Sequence, residues 1–152
     1  KSVREKMQSQ LRRHPVTCEF PDDFPLVPTD FMLMEQVFTN LFSNSIKYAP
    51  ENTAIRISAG VIDDHAIITV KNQSSHVPEE HLEHIFDKFY RVTDADKITG
   101  TGLGLSICKG FIEAHEGRIW AENLKDGFAF KITLPLKLQG EFPKLPGNET
   151  DG

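Results

Sequence analysis

No apolar run in this 152-residue chain approaches the roughly 18 to 20 residues that a membrane-spanning helix needs. Its start, KSVREKMQSQLRRH, is polar and charged and lacks the apolar stretch of a secretion leader. An initiator methionine is also missing, so the chain is expected to be a piece of something longer. There is no excess of positive charge: the formal net charge is −5, which argues against a nucleic-acid partner held by a basic surface. Cysteine is scarce. The two, Cys18 and Cys108, stand far apart in no metal-binding spacing, and both are expected as reduced core or half-core thiols. No internal repeat is present. What remains, 39% apolar and 26% charged residues, is the composition of one globular domain with a real core.

Extended and helical periods alternate along the chain. Residues 1–13 carry alternating charge, as the end of a linker or helix arriving from upstream would. VTCEF (Val16 to Phe20) has the makeup of a short strand. Three prolines in PDDFPLVPTD keep the next stretch extended, and Asp30 is placed to cap the helix that follows. There Leu33, Met34, Val37, Phe38, Leu41, Phe42 and Ile46 recur at three- and four-residue spacing, and Pro50 closes the helix. AIRISAGVIDDHAIITVKN predicts two strands around an Asp63-Asp64 turn. Residues 73–101 lose regular pattern apart from a short helix at PEEHLEHIF, and so long an irregular stretch inside a domain is usually functional. A second helix is predicted from about Leu103 to His115, stopped by Gly117. RIWAEN and FAFKITLPL are closing strands joined through LKDG. Residues 137–152, rich in Pro, Gly and charge, are expected to be disordered. The order predicts an α/β fold, a two-layer sandwich whose mixed, mostly antiparallel sheet is covered on one face by helices.

Three stretches carry chemistry. On a helical wheel Gln36, Asn40, Asn44 and Lys47 line one flank of the apolar arc, while Glu35, Thr39 and Ser43 point toward solvent. Two carboxamides on a half-buried edge either pair with loop backbone or face a polar ligand. Their oxygens suit a hard cation such as Mg²⁺, and Lys47 suits a phosphate. GTGLGLS (Gly100 to Ser106) puts closely spaced glycines before a helix start, a weak phosphate signal that is neither Walker A nor a dinucleotide fingerprint. In FDKFYR (Phe86 to Arg91), two aromatics and an arginine make either a small satellite core or an anchored loop with Arg91 reaching a phosphate.

In this order the stretches resemble the catalytic, ATP-binding domain of sensor histidine kinases, in the superfamily shared with gyrase and MutL. EQVFTNLFSNSIKYAP is similar to that family's asparagine box, FDKFYR to its phenylalanine box and GTGLGLSI to its second glycine box, over roughly residues 14–136. HPVTCEFPDDFPLVPTD is similar to the subgroup that senses potassium limitation and turgor. The resemblance implies a mobile ATP lid at about 73–101, ATP and Mg²⁺ as cofactors, and transfer of the γ-phosphoryl to a histidine. Asn44 would hold Mg²⁺ with Asn40 supporting it, Lys47 would contact phosphate, and Arg91 would approach the γ-phosphate. Tyr48 would pack on the adenine, Asn72 would accept a hydrogen bond from its amino group, and Phe89 would anchor the lid. Gly100, Thr101, Gly102, Leu103, Gly104 and Leu105 would close over the triphosphate. The implied partners are an upstream dimerisation and phosphoacceptor domain and a response regulator, with no nucleic acid. The implied parent is a homodimeric, membrane-bound bacterial sensor, with this part in the cytoplasm.

Two departures keep other readings open. The family's first glycine box, roughly Asp-x-Gly-x-Gly-Ile-Pro, is NQSSHVP here, with Asn72, Ser74 and His76 replacing the aspartate and two glycines. That favours a non-catalytic docking or regulatory module with impaired ATP binding. A hydrolytic ATPase of the superfamily is the third reading; it is opposed by Asn40, which stands where those relatives carry a water-activating glutamate. None of the six histidines has the context of a phosphoacceptor, so all are expected to be structural or solvated.

Overall fold

The computed structural model describes residues 15–48, 50, 52–73, 76–88 and 104–137; the side chains of residues 46–48 lie outside the described part. Eight elements follow in order: β1 (Val16–Glu19), α1 (Phe31–Tyr48), β2 (Ile55–Ile62), β3 (His65–Asn72), α2 (Glu79–Leu82), α3 (Gly104–Ala114), β4 (Arg118–Leu124) and β5 (Gly127–Pro135). They form one five-stranded sheet in the order β1-β2-β3-β5-β4. β1 runs parallel to β2 and every other pair is antiparallel, so the sheet is mixed and mostly antiparallel, as expected.

Strand alternation decides which face is covered. Ala66, Ile68 and Val70 on β3, Phe128, Phe130, Ile132 and Leu134 on β5, Ile119 and Ala121 on β4 and Ile55 and Ile57 on β2 are buried. All but Ala66 meet Met34, Val37, Leu41 and Phe42 of α1 and Cys108 and Ile112 of α3 in one core. Val37, Leu41 and Ile112 are fully excluded from solvent, each side chain contributing about 1.5–3 kcal/mol by burial. The opposite face is polar: Trp120 Nε1 donates to Glu122 Oε2 at 2.8 Å, and Lys131 lies 3.3 Å from the same carboxylate.

Local chemistry sets the boundaries. Asp30 Oδ1 accepts from the Leu33 N–H at 3.1 Å, the expected cap of α1. Asp63 and Asp64 both take left-handed backbone (φ 48° and 64°), the geometry of a two-residue hairpin turn that matches strand twist. α3 ends in a Schellman motif, with Gly117 N–H donating to the Ile112 carbonyl and Glu116 N–H to the Glu113 carbonyl. The left-handed residue there is Glu116 (φ 64°), one position before Gly117. Gly117 is required for another reason: a Cβ on it would stand 2.2 Å from the Thr133 carbonyl oxygen.

Three other expectations are corrected or fall outside. Cys18 is exposed, because β1 is a four-residue edge strand too short to cover it; only Cys108 is buried. Helix over 78–86 shrinks to Glu79–Leu82, followed by turns. Of the stretch 73–101, residues 74–75 and 89–101 lie outside the described residues, as do 1–14 and 138–152.

Candidate functional site

The C-terminal half of α1 meets the start of α3 through Asn40 and the end of β3 through Ser45. Asn40 and Asn44 are both half-buried on one line of α1, the flank that the wheel assigned to them. Asn40 Nδ2 donates to the Gly104 carbonyl at 3.3 Å, joining α1 to the first residue of α3. Asn44 Nδ2 donates to the Asn40 carbonyl at 3.0 Å, one turn back on its own helix. Both recorded bonds use the amide nitrogens, so the carboxamide oxygens are the acceptors this edge offers. No carboxylate interrupts the line. Glu35 and Thr39, expected toward solvent, are half-buried, and Ser43 is exposed.

Behind Asn40 lies Cys108, whose Sγ sits 3.5 Å from the Val37 carbonyl. Burial pushes this thiol up to about 12, so it stays protonated and is no nucleophile at neutral pH. An added Cβ at Gly104 would find Asn40 Cγ at 3.8 Å, an ordinary contact, so packing does not demand glycine there. Leu105, next on α3, is half-buried and packs against the core.

Asn72, at the end of β3, is 2% exposed, and its Nδ2 donates to Ser45 Oγ of α1 at 3.2 Å. Ser45 is fully buried and did not stand out in the sequence, although a serine four residues after Leu41 on the apolar arc was the available signal. Phe86 belongs to the main core, edge-on to Phe130 with ring centroids 6.2 Å apart, rather than to a satellite cluster. Lys47 and Tyr48 lie on α1 with side chains outside the described residues. Phe89, Arg91, Gly100, Thr101, Gly102 and Leu103 lie wholly outside them.

His115 is fully buried: its Nδ1–H donates to the Phe111 carbonyl at 2.8 Å, and its Nε2 accepts from the Asp30 N–H at 2.9 Å. It bolts the end of α3 to the cap of α1, the helix that carries both asparagines. Among the described residues, no group of three or more His, Cys, Asp or Glu side chains is placed to hold a metal. A cation here would depend on carboxamide oxygen and on the ligand's own oxygens, a donor set that fits Mg²⁺ bound through phosphates. Among the same residues, no helix is long and apolar enough to cross a membrane.

Comparison with known proteins adds to this geometry. The family model described as histidine kinase-, DNA gyrase B-, and HSP90-like ATPase matches residues 29–138. The sensor histidine kinase WalK of Bacillus subtilis is 38% identical over 126 residues, 80% of this chain and 21% of WalK. The sensor protein KdpD of Clostridium acetobutylicum is 33% identical over 139 residues, 88% of this chain and 15% of KdpD. The chain therefore spans about a fifth or less of these relatives. Among solved structures, the nucleotide-free catalytic domain of histidine kinase ThkA superposes with a TM-score of 0.78 at 32% identity, covering 89% of this chain and 88% of that domain. ThkA in complex with the response regulator protein TrrA superposes at 0.75 with 29% identity, covering 90% of this chain and 39% of that one.

Proposed function

We propose a role from one premise: the chain belongs to the histidine kinase-, DNA gyrase B-, and HSP90-like ATPase family, and within it is a histidine-kinase-type catalytic domain. In that role it binds ATP with Mg²⁺ between α1 and α3 and passes the γ-phosphoryl to a histidine imidazole on a separate domain. The bond from the γ-phosphorus to ADP breaks as a P–N bond forms, and the imidazole proton leaves to solvent. Asn44 Oδ1 would hold Mg²⁺, which supplies charge neutralisation at the phosphate oxygens. Asn40 keeps the edge of α1 attached to α3. Lys47 and Arg91 are the cations assigned to phosphate, and Tyr48 and Phe89 the aromatics assigned to the adenine and the lid. Gly100, Thr101, Gly102, Leu103, Gly104 and Leu105 form the backbone assigned to the triphosphate, and Asn72 is the adenine partner.

The observation that carries this reading is the Asn40–Asn44 line, tied to Gly104 and free of a carboxylate one turn before Asn44. A base that activates water is missing from that position, so transfer to a protein group fits better than hydrolysis. An upstream dimerisation domain with the acceptor histidine, a homodimeric parent and a response regulator, as ThkA has in TrrA, complete the proposed system. A potassium- or turgor-linked input is the narrower version, supported by the resemblance of residues 14–30.

Titration calorimetry with a non-hydrolysable ATP analogue tests it. Micromolar, Mg²⁺-dependent binding is expected, weakened at least about 100-fold by Asn44→Ala, or about 2.7 kcal/mol. Equal affinity in Asn44→Ala would remove Asn44 from the site. The second reading, a docking module without nucleotide, draws on Asn72, Ser74 and His76. Absence of heat up to millimolar analogue favours it.

A further inference from the structure

Asn72, Phe128 and Asn123 lie in one row across β3, β5 and β4, at the sheet end where β3 leaves the fold. Asn72 turns inward to Ser45. Asn123 reaches instead to the chain that has just left β3: Val77 N–H donates to its Oδ1 at 2.9 Å, and its Nδ2 donates to the Val77 carbonyl at 2.7 Å. One side chain thus satisfies both backbone groups of a residue 46 positions away, as a neighbouring strand would. The same hairpin touches His76 and the last residue of β3 as well. His76 Nε2 donates to the Leu124 carbonyl at 2.5 Å, and Gly127 lies so close that a Cβ on it would stand 2.2 Å from the Asn72 carbonyl oxygen.

We infer that Asn123 is a positioning residue for nucleotide binding: its two-bond clamp fixes Val77, five positions beyond Asn72, against the β4–β5 hairpin. This rests on the proposal that ATP binds beside Asn72. Asn123 touches no reacting group and acts through Val77. The segment between Asn72 and Val77 is polar, and the apolar anchor that follows it is Val77 itself, half-buried against the core. Without the clamp the placing of Val77 would fall to the ligand, and affinity drops by the fraction of molecules correctly arranged.

The test compares Asn123→Ala and Asn123→Asp with the unsubstituted chain, by amide exchange at Val77 without ligand and by calorimetry with the ATP analogue and Mg²⁺. The aspartate keeps the shape and the acceptor for Val77 N–H but sets a carboxylate oxygen against the Val77 carbonyl. Both variants should fold, exchange Val77 about tenfold faster and bind the analogue about tenfold more weakly. Asn123→Gln, which can restore both bonds, should recover part of the affinity. Analogue affinity within twofold of the unsubstituted chain in both variants would overturn the inference and leave the nucleotide site standing. So would a normal aspartate variant beside a weak alanine one, since the side chain would then only fill space. If the unsubstituted chain itself bound no analogue, the ATP site would fall first, and the positioning role with it.

Discussion

His115→Leu isolates a link that ties the two site-bearing helices together. The histidine is fully buried and uses both ring nitrogens, one for the Phe111 carbonyl and one for the Asp30 N–H. Phe111 lies in the last turn of α3, where helix carbonyls lack partners of their own, and Asp30 is the N-cap of α1. Leucine fills most of the volume but leaves one donor and one acceptor unpaired, each costing about 1–3 kcal/mol where water cannot replace the partner. Both backbone sites are only partly buried, so the low end applies to each, and the loss should be about 2–3 kcal/mol. For a chain of this size that lowers Tm by roughly 5–10 °C. Thermal melts followed by circular dichroism measure it. A cooperative transition within 2 °C of the unsubstituted chain would refute the reasoning. A double-mutant cycle sharpens it. Asp30→Ala removes the cap at a cost of about 1 kcal/mol but keeps the backbone N–H that His115 holds. The two losses should therefore add, with coupling below about 0.5 kcal/mol. Larger coupling would mean that His115 works through the Asp30 carboxylate instead.

Two further outcomes follow from particular contacts. Gly127→Ala must move either β5 or the Asn72 carbonyl; it should cost about 1–3 kcal/mol in urea unfolding and weaken the ATP analogue, and an unchanged midpoint would contradict the packing. In the folded chain at pH 8 a disulfide reagent should modify Cys18 alone, with Cys108 reacting only after unfolding. Burial raises the Cys108 thiol from an ordinary 9.0 to about 12, so its contribution to stability is whole below pH 9 and is lost as pH climbs toward 12. Urea midpoints should then fall more between pH 8 and 10.5 than those of Cys108→Ala; parallel curves would count against it.

What was legible in the sequence follows the range over which each signal acts. The period of α1, its Asp30 cap, the two strands of AIRISAGVIDDHAIITVKN and the Asp63-Asp64 turn between them depend on residues within a few positions of one another, and each appears where expected. The strand order does not: β3 lies beside β5 because Val70 and Phe130 pair although 60 positions apart, and no local pattern encodes that choice. Gly117 shows the same division. A glycine after a helix suggests a left-handed cap, yet Glu116 takes that conformation, and the glycine answers to the Thr133 carbonyl on a distant strand.

The site divides along the same line. Asn40 and Asn44 were visible because a carboxamide on an apolar helix edge is locally unexpected. Ser45, His115 and Asn123 were not, because a polar residue becomes informative only through its partner, and theirs are 27, 85 and 46 positions away. Each of the three fixes something that carries function in this reading: Ser45 the end of β3, His115 the cap of α1, Asn123 the backbone of Val77. Changes at these three should leave the helical and strand content intact while altering how the elements meet. In this reading the site then depends on His115 and Asn123, outside the boxes that identify the family, as well as on Ser45 within one of them. Substitutions there should appear first as lost affinity or lost Tm, with circular dichroism at low temperature unchanged.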